Sequence, residues 1–315
     1  MPLDHYVSQV HLRQFYSPSL KRRMYAIRKL DLKSFATNSR AVCRIESGST
    51  NAYLRNSRAI EDFLKTIEPS YNRAVQKVSS GTVDHEAVFT VAGFVAYVST
   101  CSPGGMRIQS GPLEGMVEAT TPALDSKGVL PRLSDGRTLT DLLQAGTVEV
   151  AIDPKYSQAI GISTILRLVS TYGNLRWDFL VSGSADRPFF TSDFPVAIET
   201  THQAHILNRV IPLAPHLAVR IMTGPLPRRR PLDLSFPDFR YRLLRPSIEE
   251  IEGLNRLFVQ CAEEIVFYRD DEVWVRPFVE KHRHFRIEPQ KTFFSVGART
   301  LMIATQRIVP YVQAG

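Results

Sequence analysis

Apolar and polar residues recur along this chain with two periods, and the change from one to the other comes near Trp177. Before it, helical spacing dominates. From Arg58 to Ser79, Ile60, Phe63, Leu64, Ile67, Tyr71, Ala74, Val75 and Val78 recur at i, i+3, i+4 and i+7, which predicts an amphipathic helix. Pro69 falls inside that pattern and predicts a kink or break near Glu68. The run from Glu86 to Thr100 is apolar most of the way round, as a central buried helix would be, with Asp84 placed to cap it. Asp153-Pro154 reads as the start of a further helix through Tyr172, ended by Gly173-Asn174. After it, short β-type runs appear at Trp177–Val181, Pro188–Thr191, Arg209–Leu213, Leu217–Met222, Val273–Phe278 and Leu301–Val309. One long helix interrupts them, from about Ile248 to Phe267, with Ser247 and Glu250 spaced as a capping box. Near the start, Met24–Asp31 reads as a strand in a hairpin with the region of Ala41–Ile45.

Residues 103–150 carry glycines and prolines throughout and only one short helical pattern, Leu139–Leu143, so they read as a flexible insertion or flap. The resulting expectation is one α+β domain over residues 1–315. A helical N-terminal half packs on a mainly antiparallel C-terminal sheet.

Composition changes this picture little. At 315 residues, 43% hydrophobic and 22% charged, the chain has ample length for a buried core. Its formal charge of +8 and pI of about 9.5 favour polyanions such as nucleic acid (RNA or DNA) or an anionic membrane surface. Of its 39 basic residues 30 are Arg, the better donor for bidentate phosphate contacts. High genomic GC content enriches Arg as well. Cys43, Cys101 and Cys261 are far apart and form no C-x-x-C pair, so neither a structural zinc site nor a disulfide scaffold is indicated. The longest apolar run, Ala87–Val98, is too short to span a bilayer, and no basic region followed by an apolar run opens the chain. A cytoplasmic protein with no membrane association is the expectation.

Candidate chemistry concentrates at the start. His5, Gln9 and Arg13 follow i, i+4, i+8 and would form one polar stripe if the segment were helical. A proton carrier, an amide and a guanidinium on one stripe suit a phosphate or carboxylate. A capped N-terminal helix with ordinary surface polar residues shows the same pattern. Glu61 and Glu68 lie seven apart, hence on one helix face but roughly 10 Å apart along the axis. Glu61 is also spaced to pair with Lys65. In Thr191-Ser192-Asp193-Phe194-Pro195, Asp193 is a candidate acid presented into a cleft, or the centre of an Asx turn. Basic clusters at Arg22 and Arg23, and at Arg228, Arg229 and Arg230, are candidate nucleic-acid contacts, and both also suit solvated loops. His282 and His284 would share a face if they lay on a strand. No P-loop, G-x-G-x-x-G, G-x-S-x-G or H-E-x-x-H is present, which removes support for nucleotide hydrolysis, Rossmann redox chemistry, serine hydrolysis and zincin proteolysis.

The opening His5-Tyr-x-x-Gln-x-x-Leu-Arg-x-Phe15 resembles the signature of an uncharacterised, mainly bacterial family, domain of unknown function 4238. Ile60-Glu61 with Glu68, Phe190–Val196 and Ile211–Pro215 are similar to it in the same order, and Leu254-Asn255 with Ala262 more weakly. Ser8 and Gln14 stand where the family usually has Pro and Asn. The resemblance implies no activity, but it falls on polar residues spread over 190 positions. The expectation drawn from it is a nuclease-like enzyme that cleaves phosphodiesters. His5 is its acid or base, and Arg13 with Gln9 steadies a phosphate oxygen. Glu68 and Asp193, with Glu61, either bind a divalent cation (Mg²⁺ or Mn²⁺) or orient His5. The alternative is a non-catalytic module that binds nucleic acid or a partner, in which these residues form a buried polar network.

Overall fold

Short elements open the chain because proline and polar residues interrupt its apolar runs. The computed structural model describes residues 3–184, 186–203, 206–224, 232–296 and 299–311. Strand β1 (Leu3–His5) leads into the single turn α1 (Gln9–Leu12) and a 3-10 turn at Arg13–Phe15. His5 therefore lies on a strand, and the expected helix begins only at Gln9. Strands β2 (Met24–Arg28), β3 (Ser34–Thr37) and β4 (Arg44–Glu46) follow. β2 pairs with β3, whereas β4 pairs with β1, so the hairpin expected between Met24–Asp31 and Ala41–Ile45 does not form.

The long periodic segment becomes α2 (Ala59–Ile67), a 3-10 turn at Glu68–Ser70 and α3 (Tyr71–Ser80), with the break where Pro69 removes a helical donor. Next comes α4 (His85–Cys101), capped by Asp84, whose carboxylate accepts the Ala87 N–H at 3.0 Å. It is buried nearly all round, as its sequence requires. The chain turns at Ser102 into α5 (Pro103–Ser126), then α6 (Leu139–Gln144), α7 (Pro154–Ser163) and α8 (Ile165–Gly173). The first half of 103–150 is thus a 24-residue helix, against the expectation of irregular chain. The physical reason is packing. A Cβ on Gly111 would meet the Pro289 ring, and one on Gly115 would meet Met302 and Lys291, so these glycines mark close approach of another element, not turns.

The second half is β5 (Arg176–Val181), β6 (Thr191–Ser192), β7 (Ala197–Thr200), β8 (Leu207–Ala214), β9 (Leu217–Met222), β10 (Arg240–Leu244), α9 (Ile248–Cys261), β11 (Ile265–Tyr268), α10 (Val275–His282), β12 (Phe285–Val296) and β13 (Arg299–Pro310). One sheet has the order β10-β5-β9-β8-β7, antiparallel except for β10 on β5. A second, antiparallel sheet has the order β3-β2-β11-β6. β12 and β13 form a two-stranded ribbon that packs on α5. The fold is α+β, helical mostly in the first half and mainly antiparallel in the second.

The segment Val273–Phe278 is the start of α10, not a strand. Pro277 falls in its first turn, where the missing N–H costs no hydrogen bond. Consequently His282 ends a helix, its ring edge-on to Phe278, and does not share a strand face with His284. The capping box of α9 is present as expected. One core joins α2, α3 and α4 to the five-stranded sheet through Tyr71, Phe94, Trp177 and Phe179, all fully buried. Each such large side chain contributes roughly 1.5–3 kcal/mol of burial free energy. Among the described residues no single helix is long and apolar enough to cross a membrane.

Candidate functional site

The polar residues of the N-terminal segment separate onto two sides. Val7, His11 and Phe15 turn inward and are fully buried, while His5, Gln9 and Arg13 turn outward. The outward set lines a cleft of about 360 Å³, with Glu61 and Glu68 on the facing wall and Asp4, Ser49 and Tyr97 around it. Five of the six expected catalytic residues therefore meet in one place, although His5 is on a strand and Arg13 in a 3-10 turn.

Within the cleft, Arg13 donates from Nη2 to Gln9 Oε1 at 3.2 Å, and the Gln9 amide nitrogen lies 3.5 Å from His5 Nδ1. Ser39 Oγ donates to the same Gln9 oxygen at 3.4 Å and accepts from Tyr16 OH at 2.9 Å. Because the Gln9 oxygen is already an acceptor, its NH₂ faces the imidazole as a donor. That assigns the lone pair to His5 Nδ1 and the proton of the neutral ring to Nε2, which is turned away from solvent. Tyr97 OH donates to the His5 carbonyl and holds the residue in place from beneath.

Half-burial pushes the His5 pKa below its ordinary value, and the neighbouring Arg44 adds to this. The backbone of Ser39 and Arg40 and the Glu68 charge act in the other direction, but burial prevails. At neutral pH His5 is thus a neutral imidazole, ready to accept a proton.

The acidic wall is engaged locally. Glu68 accepts a hydrogen bond from Ser8 Oγ, which ties the start of α1 to the break between α2 and α3. Glu61 pairs with Arg58, which also lies 3.8 Å from Asp4, and Asp4 accepts the Ser49 N–H at 3.0 Å. The expected Glu61–Lys65 pair does not form, because Lys65 turns to Asp62 at 2.8 Å.

Asp193 does not line the cleft. It is 3% exposed, and its carboxylate closes the turn before β11. Oδ1 accepts the Glu263 N–H at 2.9 Å, and Oδ2 accepts those of Glu264 and Ile265 at 2.7 and 3.1 Å. Glu68 and Asp193 do not come together as a ligand pair. Among the described residues no group of three or more His, Cys, Asp or Glu is placed to hold a metal ion. Arg22 and Arg23 are exposed, and Arg22 has φ +66° in the turn before β2. Arg228, Arg229 and Arg230 lie outside the described residues.

The Thr-Ser-Asp turn nonetheless touches the N-terminal segment, through a residue not counted among the candidates. His11 Nε2 lies 2.8 Å from Thr191 Oγ1 and its Nδ1 2.8 Å from Tyr71 OH, and the ring stacks on Phe94. Its i±4 neighbours Val7 and Phe15 are apolar, and that is the sequence signal of an inward position. Asp4, Arg58 and Tyr97 were also missed. Tyr97 belongs to an all-round apolar helix and carries no pattern that singles it out.

No curated protein and no solved structure matches this chain significantly. The model of one family, described as "Protein of unknown function (DUF4238)", matches residues 4–272, from the residue before His5 to the end of the β11 region. That match covers most of the 315 residues, and the chain belongs to this family.

Proposed function

We propose that the cleft is an acid–base centre for phosphodiester cleavage in RNA or DNA. The observation that carries this reading is the Arg13–Gln9–His5 chain in a polar cleft, ending on a neutral imidazole. In it, substrate displaces the Gln9 NH₂ group from the His5 Nδ1 lone pair, where it sits at 3.5 Å in the free protein, and Nδ1 then takes the proton of the attacking hydroxyl or water. Arg13 is exposed at the mouth and offers its guanidinium to the phosphate oxygens as charge develops on them. Gln9 holds the two groups in register, and Glu68 anchors α1 through Ser8. Asp193 has no part in the chemistry.

The test is incubation of wild type, His5→Ala and Arg13→Ala with labelled RNA and DNA, in Mg²⁺, in Mn²⁺ and in chelator. The expected result is cleavage that falls by roughly 10²–10⁴-fold in His5→Ala while the variant keeps its fold. Cleavage that survives His5→Ala overturns the assignment. So does the absence of cleavage under every condition.

A second reading has its own observation. Both oxygens of Asp193 and both nitrogens of His11 are saturated by protein partners, as in a network that fixes the fold. In that reading the chain is a non-catalytic module and its exposed arginines bind nucleic acid or a partner. Retention of RNA or DNA by a gel shift that Arg22→Ala and Arg23→Ala weaken, with no cleavage, would favour it.

A further inference from the structure

The loop at residues 47–51 and the Gln158 side chain together surround a positive charge with four oxygens, one more than an ammonium has protons. Lys155, in the first turn of α7, places its Nζ 2.7 Å from the Ser47 carbonyl oxygen, 3.1 Å from that of Thr50 and 3.4 Å from that of Gly48. The side-chain oxygen of Gln158, one turn further on, lies at 3.1 Å. An ammonium has three N–H donors, so four oxygens cannot each receive a dedicated hydrogen bond. A spherical cation uses all of its oxygens at once, and rings of neutral carbonyls are how proteins replace the hydration shell of potassium.

The cage is held by groups other than Lys155. Gln158 is fully buried and donates from Nε2 to the Gly48 carbonyl at 2.9 Å. Asn51 is 1% exposed and donates from Nδ2 to Gln158 Oε1 at 3.1 Å and to the Lys155 carbonyl at 2.7 Å. Ser47 has φ +52°, a strained conformation at the start of the loop. Gly48 has no room for a side chain, since a Cβ would lie 2.9 Å from Ile45 Cγ1. The oxygens are too distant for Ca²⁺ at about 2.3–2.6 Å or Mg²⁺ at about 2.0–2.1 Å, and none of the four belongs to a carboxylate.

We propose that this loop is a monovalent-cation site of the potassium class, occupied by the tethered ammonium of Lys155, and that removal of the side chain opens it to K⁺. The site also bears on the cleft. Ser49, between two of the cage carbonyls, donates its N–H to Asp4 and lines the cleft wall. Arg58, which pairs with Asp4 and Glu61, donates to Thr50 Oγ1 at 3.0 Å. Lys155 is thus a positioning residue for that wall. The proposal rests on the cage alone and stands whether or not the cleft is catalytic.

The test is thermal unfolding of the full chain, wild type and Lys155→Ala, in equal concentrations of KCl, NaCl and choline chloride. In choline the variant should melt below the wild type. KCl should restore its Tm by about 2 °C or more, NaCl by less, and the wild type should show no such ion preference. A variant that melts alike in all three salts overturns the proposal. Rescue by K⁺ no greater than by Na⁺ overturns the potassium assignment. If Lys155→Ala is unfolded in choline, refolding from urea is compared in the three salts. Recovery in KCl above that in NaCl is then the expected result, and failure in all three overturns the proposal.

Discussion

His11 shows how a polar residue can be committed to folding beside one that is free to do chemistry. It has no exposed surface, and burial pulls its pKa down to about 3. In the unfolded chain the same ring titrates near about 6.5. Its contribution to stability is therefore complete above about pH 6.5, and it is lost as the pH falls toward 3, because only the unfolded chain takes up the proton. Wild type should lose about 1.4 kcal/mol per pH unit across that window from this residue alone. His11→Gln, which keeps a donor and an acceptor but cannot titrate, should show lower stability at pH 7 and a shallower slope between pH 6 and 4. Urea unfolding at a series of pH values measures both, and equal slopes would refute the role given to His11. The fate of His11 was legible in its apolar i±4 neighbours Val7 and Phe15, whereas His5, on a strand, carries no such signal beyond the polar Gln9 that follows it. The position of Asp193 was not. A carboxylate after a strand has the same sequence whether it faces a cleft or closes a turn, and only the N–H groups of Glu263, Glu264 and Ile265, some 70 positions later, decide between them.

At the scale of the element, glycine had two meanings that sequence could not separate. Gly253 lies inside α9 with nothing near the space a Cβ would fill, and Gly111 lies inside α5 against Pro289. Replacing either by Ala improves helix propensity by roughly 1 kcal/mol. Gly253→Ala should therefore raise the Tm by about 2 °C. Gly111→Ala should lower it, because the proline ring is rigid and α5 must move away from β12. Paired thermal melts test this, and a stabilised Gly111→Ala would show that the helix and ribbon are not in close contact. The same ambiguity explains why α5 went unread while α4 and α9 were plain. Their signals are local, an apolar run with a cap, whereas α5 acquires its shape from a ribbon some 180 residues away. Similarly, Val273–Phe278 has strand-like residue types, but Pro277 suits a first helical turn equally well, and packing decides.

For the whole molecule, the open matter is whether the β12–β13 ribbon belongs to the fold, since the family match ends at residue 272 and the ribbon lies beyond it. Its base is built into the protein. Ile287 is fully buried, Lys29 donates to the Phe285 carbonyl at 2.8 Å, and Arg107 donates to the Ile287 carbonyl at 2.7 Å and to Glu288 at 2.6 Å. Lys29 is itself 5% exposed, so losing that acceptor would leave a buried ammonium short of a partner. The far end is different. Phe294 and Leu301 pair across the strands, yet are 46% and 52% exposed. Two deletions should therefore diverge. Replacing residues 294–301 by Asn-Gly, which closes a two-residue hairpin between Phe293 and Met302, removes the half-exposed Phe294 and Leu301 and the strand pairs beyond them, and should leave the unfolding free energy within about 0.5 kcal/mol. Ending the chain after residue 284 removes Ile287 from the core, leaves Lys29 with the Ala262 carbonyl alone and takes from Arg107 every partner but Glu263. It should cost several kcal/mol, enough to abolish cooperative unfolding in a chain of ordinary stability. Circular dichroism melts of the two variants decide the matter. If the longer truncation melts like the wild type, the ribbon is an appendage and the fold closes at α10. If the shorter one unfolds the protein, Phe294, Leu301 and the strand pairs beyond them carry stability that the exposure of those two side chains does not account for.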